Sequence, residues 1–335
     1  DGNNHLKKVV ANAEALSIPH EHWHAKDIIR RVPCYDLRCY GPPKQMNDPA
    51  FGEPSGGEIT GGVFFPTAGY VNDPQLAAQN IQAAAHANGA HFLFRRKVIE
   101  IPVSNNRVQG VVLDDGTRIS APVVVNIGGA HSAKLNQLAG ADAGMKISAR
   151  ALRPEVVHVP APNGLEFDQA GLVISDSDIG VYCRPETGNH VIAGSEDPDC
   201  DLREWVDPDH YEHNFTDQST TQALRMAQRM TGLKLPNRLR GIVDLYDVSD
   251  DWLPIYDRSN IDGFYMACGT SGNQFKNAPV AGKLMAQLVD YCESGNNHDT
   301  HPLSFALGQI DFVLDTATMS RLRTINPESS FSVLG

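Results

Sequence analysis

The densest run of residues able to do chemistry is GTSGNQFKNAPVAGKLM, from Gly269 to Met285. Small and polar residues crowd its first half, Lys276 stands in the middle, and an apolar pattern at helical spacing follows. Such a loop can hold an anionic or polar ligand against the start of a helix. The first backbone N–H groups there lack intrahelical partners and carry the positive end of the helix dipole. The same residues would equally make a tight turn. A second group lies in VYCRPE, where strand alternation puts Tyr182 and Arg184 on one face. A guanidinium there could grip a carboxylate through two parallel hydrogen bonds, and a surface arginine is the competing reading. Gly128 and Gly129 close an apolar strand before a helix, which suits either ligand approach or close packing.

Other polar clusters carry less. His20, His22 and His24 alternate, a spacing that suits a metal only on a strand. Their neighbours read as a helix start, so no metal site is expected. His210 and His213 read as solvated residues on one helical face. Asp114 and Asp115 belong to a DDG turn, and Asp251 with Pro254 reads as structural. No nucleophile elbow, P-loop or zinc pattern is present.

The elements that must position these residues follow from periodicity. Helices are predicted over 1–16, over DPQLAAQNIQAAAHANGA with Asp73 as cap and Gly89 as stop, over about 208–231, and over APVAGKLMAQLVDYCES. Strands are predicted for GGVFFP, HFLFR, KVIEIPV, RVQGVVLDDG, TRISAPVVVNIGG, RPEVVHVPAP, AGLVISD, GVYCRPE, NHVIAGSE, RLRGIVDLYDV and GFYMACG. The Val123–Ile127 stretch reads as part of a buried sheet covered by helices. Pro42 to Gly62 reads as a long connection, and the tail after Asn297 as a short amphipathic helix with a polar end.

With 335 residues the chain is long for one core, so two interleaved lobes are expected at roughly 150 residues per domain. Hydrophobic residues make up 41% and charged ones 20%, which argues for a globular protein. The net charge of −12, with no basic stripe, excludes nucleic acid as the main partner. Six scattered cysteines without a CxxC pair fit a reducing compartment, and no signal or membrane-spanning pattern is found, so a cytoplasmic protein is expected.

Six stretches, in order, resemble the D-amino-acid oxidase superfamily of FAD-dependent enzymes, on the sarcosine oxidase and dimethylglycine dehydrogenase branch. They are GGVFFPTAGYVNDPQLAAQNIQAAAHANGAHF, KVIEI, GVVLDDGTRISAPVVVNIGGAHSAKL, VYCRPETGNHVIAGSE, DVSDDWLPI and GFYMACGTSGNQFKNAPVAGKLMAQL. The resemblance implies a mixed α/β fold in which an incomplete FAD-binding Rossmann-like domain is interleaved with a mostly antiparallel substrate domain. The expected boundaries are a linking segment at 1–60, the FAD-binding lobe at 61–150 and 240–295, the substrate lobe at 151–239, and a tail at 296–335.

By the same resemblance FAD is held non-covalently, since DLYDVSDD offers no cysteine for attachment. Val98, Gly128, Gly129, Gly269, Thr270, Ser271, Gly272, Asn273, Gln274, Phe275 and Lys276 are expected to meet it. Lys276, Arg184 and Tyr182 are expected to meet the substrate, and no dedicated catalytic base is expected. The implied activity is oxidation of the C–N bond of an amino acid or N-methyl amino acid, by hydride transfer to flavin N5. The family opens with a GxGxxG turn that cradles the FAD pyrophosphate, and this sequence has none. Hence a further segment or polypeptide is expected to supply it. The alternatives are a non-catalytic subunit that does not hold FAD alone, or a flavoenzyme for a hydroxy acid or polyol phosphate.

Overall fold

A computed structural model describes residues 4–333. The chain divides into two compact units. Unit 1 comprises Asp1–Asn72, Arg153–Glu204 and Tyr211–Asp244, and unit 2 comprises Asp73–Leu152, Trp205–His210 and Leu245–Gly335.

Unit 1 is built on a five-stranded antiparallel sheet in the order Ile174–Asp176, Val181–Glu186, His190–Ser195, Glu155–Pro160, Arg240–Val243. Alternation sorts its faces. Val157, Val159, Val181, Cys183, Val191 and Ala193 point to one side and are buried with Ala223 and Met226 of the Asp217–Arg229 helix. Each such aliphatic side chain contributes roughly 1.5–3 kcal/mol by leaving water. The helix looked polar in sequence because its buried side carries two arginines. Arg225 Nη2 donates to Asp201 Oδ1 at 2.8 Å, and Arg229 Nε donates to Asp176 Oδ2 at 2.7 Å. Tyr35 Oη donates to the same Asp176 oxygen at 2.5 Å.

Unit 2 holds a three-stranded sheet of Ile255–Arg258, Phe264–Cys268 and Val124–Asn126, the last two parallel. Each parallel strand runs through a glycine-containing loop into a helix, Ser132–Ala139 or Ala278–Glu293. Leu284, Met285 and Leu288 of the second helix pack with Tyr256, Tyr265 and Phe305. The Pro74–Ala87 helix begins as expected, with Asp73 Oδ1 accepting from Leu76 N at 2.8 Å, and Gly89 follows it at φ +90°. The DDG turn joins Gly110–Leu113 to Arg118–Ser120.

Several expectations are corrected. HFLFR forms no strand: Phe92, Leu93 and Phe94 lie exposed, and among the described residues no strand pairs with their backbone groups. Val124–Asn126 is half-buried and sits at a sheet edge. RLRGIVDLYDV breaks after Val243 into two strands belonging to different sheets, since its apolar pattern does not record a change of partner. The polar helix starts nine residues late, at Asp217, where Thr216 caps it, so His210 and His213 lie ahead of it in irregular chain. The first helix spans Asn4–Ala15, and residues 1–3 fall outside the described part. Glu21–His24 is a strand paired with Gly61–Phe64, so these histidines alternate on extended chain, and the helix start read in their neighbours follows at once, with His24 at the N-cap position of the Ala25–Arg31 helix; no group able to hold a metal occurs among the described residues. The tail forms a hairpin of Ser304–Leu307 and Phe312–Asp315 followed by a single 3-10 turn, in place of an amphipathic helix. Among the described residues no helix is long and apolar enough to cross a membrane.

Candidate functional site

Parallel strands Val124–Asn126 and Phe264–Cys268 end on the same side of their sheet, so the loops that follow them share that edge. In open α/β sheets this edge is where ligands bind. Asn126 organises the first loop. Its Nδ2 donates to Asn136 Oδ1 at 2.8 Å and to the Ser132 carbonyl at 2.9 Å, while its Oδ1 accepts from Gly128 N at 3.0 Å. A Cβ on Gly128 would stand 2.5 Å from Leu135 Cδ1. Gly129 has φ +54° and open space around it, so conformation and not crowding selects glycine there. Val98 opens the Val98–Glu100 strand opposite Leu113 and packs against the same buried cluster, containing Ile101, Val108 and Ile147, that Val124 and Leu135 also pack against.

The second loop is clamped by the Tyr246–Ser249 strand. Ser271 N donates to the Asp247 carbonyl at 2.8 Å, and Thr270 Oγ1 donates to Asp247 Oδ1. The Tyr246 ring approaches to 2.6 Å of where a Cβ on Gly272 would sit, and Gly272 has φ +75°. Gly269 is at φ +67° against Ser249 and Ile255. At Gly272 the backbone and the Tyr246 ring together exclude a side chain, whereas at Gly269 the left-handed backbone disfavours one and Ser249 Cβ, 3.0 Å from where a Cβ would sit, makes the fit tight. Asn273 and Gln274 are half-buried, and Phe275 is 53% exposed.

Lys276 occupies a 3-10 turn, Phe275–Asn277, just ahead of the Ala278–Glu293 helix. Its Nζ folds back to donate to the Asn273 carbonyl at 2.5 Å. Desolvation of the amine lowers its pKa from the ordinary lysine value, although the residue as a whole lies at the surface. A cation shifted this way releases its charge more easily, and it gains most from an anionic neighbour.

In unit 1 the sheet face opposite the apolar core carries Tyr182 and Arg184, as alternation predicts. Ser175, Gly194, Ile192, Val156, His158 and His190 share that face by register. Tyr182 lies across Gly194, its Oη 2.5 Å from where a Cβ would be, so only glycine leaves room for the ring. Arg184 stacks over Tyr70 at 5.2 Å and donates from Nη1 to Glu186 Oε2 at 3.0 Å. One nitrogen of its fork is thus engaged by a carboxylate already.

Two acids on these surfaces gave no sequence signal. Glu196 follows the His190–Ser195 strand, is 5% exposed, accepts from Ser175 Oγ at 2.5 Å, and has no hydrogen-bond partner at Oε2 among the described residues. Burial pushes its carboxyl up to about 7, the Ser175 hydroxyl only partly opposing. Asp247 is buried with Oδ2 unpartnered among the described residues. Their burial depends on what covers each strand, which a pattern of residue types does not encode.

A family model described as FAD dependent oxidoreductase (DAO) matches residues 14–288. Glycine oxidase of Geobacillus kaustophilus (strain HTA426) is 26% identical over 255 residues, covering 75% of this chain and 62% of that protein. FAD-dependent oxidoreductase domain-containing protein 1 of Xenopus laevis is 26% identical over 207 residues, covering 56% of this chain and 40% of that protein. The chain therefore spans less than two thirds of either curated relative. Among solved structures, L-proline dehydrogenase from P. horikoshii superposes with TM-score 0.67 at 19% identity, over 87% of this chain and 69% of that one. Glycine oxidase from Geobacillus kaustophilus gives TM-score 0.66 at 19% identity, over 96% of this chain and 71% of that one. At these identities the likeness is one of fold, and it agrees with the mixed α/β class.

Proposed function

The chain belongs to the DAO family of FAD dependent oxidoreductases, and on that premise we propose that it forms the greater part of an enzyme oxidising the C–N bond of an amino acid or N-methyl amino acid. The observation that carries this reading is the Gly269–Phe275 loop, fixed by Asp247 and Tyr246 at the carboxyl end of a parallel strand. Bound FAD supplies the hydride acceptor for such a reaction.

The residues present suit the flavin end of FAD. The two loops offer glycines that admit close backbone approach, with Val98 beside the first, and no cysteine in 244–251 to tether the ring, so binding is non-covalent. They do not supply the pyrophosphate cradle, because a GxGxxG turn is absent from the sequence. A further segment or polypeptide carrying that turn completes the site in this reading. It would also cover Phe92, Leu93 and Phe94, exposed by 40%, 61% and 65%, and the open edge of Val124–Asn126.

The chain's own groups bind and orient. Lys276 places a mobile positive charge beside the second loop, suited to a substrate carboxylate. Arg184, held by Glu186 and Tyr70, offers the remaining donors of its fork, with Tyr182 as an apolar floor on the same face. Fixing the carboxylate aligns the carbon that bears the nitrogen, and alignment of this sort needs no dedicated base when the amine arrives neutral. Six free cysteines support a cytoplasmic location.

The test is the visible absorption spectrum after incubation with FAD and desalting. A retained oxidised-flavin spectrum, bleached anaerobically by an amino acid or N-methyl amino acid, is expected once the completing segment is present. A bound flavin that no such substrate reduces would overturn the proposed chemistry.

A further inference from the structure

The family match stops at residue 288, yet the chain beyond it enters the buried ground behind the second loop. We propose that residues 320–333 form a strap that sets the geometry of the Gly269–Phe275 loop, with Arg323 as its positioning residue.

Arg323 spends all three guanidinium nitrogens on one turn. Nε donates to Asp251 Oδ2 at 2.9 Å and Nη2 to Asp251 Oδ1 at 2.6 Å, a paired fork. Nη2 also donates to the Leu253 carbonyl at 2.8 Å, and Nη1 to the Pro254 carbonyl at 3.2 Å. The turn so held contains Trp252 at φ +62°, a conformation that a large side chain adopts only under outside constraint. Asp251 is fully buried, and Asn326 N adds a bond to its Oδ2 at 3.3 Å. Burial pushes the Asp251 carboxyl up, but the Arg323 charge and hydrogen bonds outweigh it and leave it below the ordinary aspartate value.

From that turn the contacts run to the loop. Ser249 Oγ donates to the Leu253 carbonyl at 2.6 Å, with Asp251 Oδ1 3.3 Å away. Ser249 N donates to Ser271 Oγ at 3.4 Å, and Ser271 Oγ donates to the Gly269 carbonyl at 3.1 Å. Two more anchors keep the strap in place. Arg321 Nη1 donates to Asp257 Oδ2 at 3.1 Å, on the strand beside Phe264–Cys268, and to Asp299 Oδ1 at 2.8 Å. Phe331 and Val333 pack against the buried cluster of Leu152, Val248 and Trp252. A ligand at the second loop thus meets a surface whose shape depends on residues about fifty positions later in the sequence. The consequence for FAD rests on the proposed function, whereas the mechanical link does not.

Amide hydrogen exchange of the full chain, without FAD, tests the link. Arg323→Lys keeps the charge and loses the fork, and the pair Arg323→Gln with Asp251→Asn leaves no buried charge unpaired. Both are expected to speed exchange in 246–253 and 269–275 by about tenfold or more, with the Glu155–Ser195 region unchanged. Unchanged exchange in 269–275 overturns the proposal, and so does a uniform rise throughout unit 2, which would make the strap a general stabiliser. FAD titration followed by flavin fluorescence, with the completing segment present, then separates the two readings. Loosened loops with weakened FAD binding support both. Loosened loops in a chain whose FAD affinity is unaffected leave the strap standing and count against the flavin role of the loop.

Discussion

The sheet of unit 1 and the loop-bearing sheet of unit 2 position functional groups by different means. In unit 1 side chains do it. Alternation alone puts Tyr182, Arg184, Glu186 and His158 on one face, and the two arginines turned inward are paired, Arg229 with Asp176 and Asp178 and Arg225 with Asp201. In unit 2 the backbone does it. Gly269 and Gly272 take positive φ, and a Cβ added to them would stand 3.0 Å from Ser249 and 2.6 Å from Tyr246 respectively. The difference implies that the Tyr182–Arg184 face of unit 1 is sensitive to charge, and the Gly269–Phe275 loop of unit 2 to the addition of single carbon atoms at its glycines.

The largest effect should come from unpairing a buried charge. Arg229→Met leaves Asp176 and Asp178 without their cation, and urea denaturation should show a loss of about 3–5 kcal/mol. A loss below about 1 kcal/mol would mean that the inward polar groups of unit 1 are not held as described.

Next comes Glu196. Its carboxyl is raised from 4.5 to about 7 in the folded protein, so between those values the folded state holds a proton that the unfolded chain has released. Stability should therefore be highest below pH 4.5 as far as this group is concerned, fall as the pH climbs to 7, and level off above. The full difference is on the order of 3 kcal/mol. Glu196→Gln should flatten that part of the pH profile of thermal unfolding. A profile identical to the parent's would show that the carboxyl reaches water.

The backbone side of the comparison is tested by Gly272→Ala, which must fit a Cβ 2.6 Å from the Tyr246 ring at φ +75°. A cost of about 1–3 kcal/mol is expected, together with loss of FAD binding. Gly129→Ala, where open space surrounds the position, should cost less, about 1 kcal/mol from the left-handed conformation alone. Equal costs at both sites would erase the distinction between crowding and conformation. The smallest effect is functional: Lys276→Met should raise KM for an acidic substrate by about tenfold and leave flavin binding and stability unchanged.

Much of the fold was legible. The Asp73 cap, the Asp114–Gly116 turn and the four strands between 155 and 195 follow from local residue types, because caps, turns and alternation act over a few positions. The apolar run at 92–94 misled because alternation predicts an extended chain but not a partner to pair with it. The run from Arg238 to Val248 misled for a related reason, since a strand that changes sheets at Asp244 keeps the same composition on both sides. At the candidate site, the glycine-containing loop ahead of a helix was readable as local structure, whereas Asp247 and Glu196 were ordinary acids until the structure buried them.

By itself, then, the sequence determined many of the elements, the family likeness and the face shared by Tyr182 and Arg184, all consequences of spacing along one chain. Only the tertiary structure decided that Tyr246 would forbid a side chain at Gly272, that Glu196 would lie out of water, and that Arg323 would reach Asp251. Those facts depend on which distant residues meet, and burial, electrostatic pairing and steric exclusion exist only once they do.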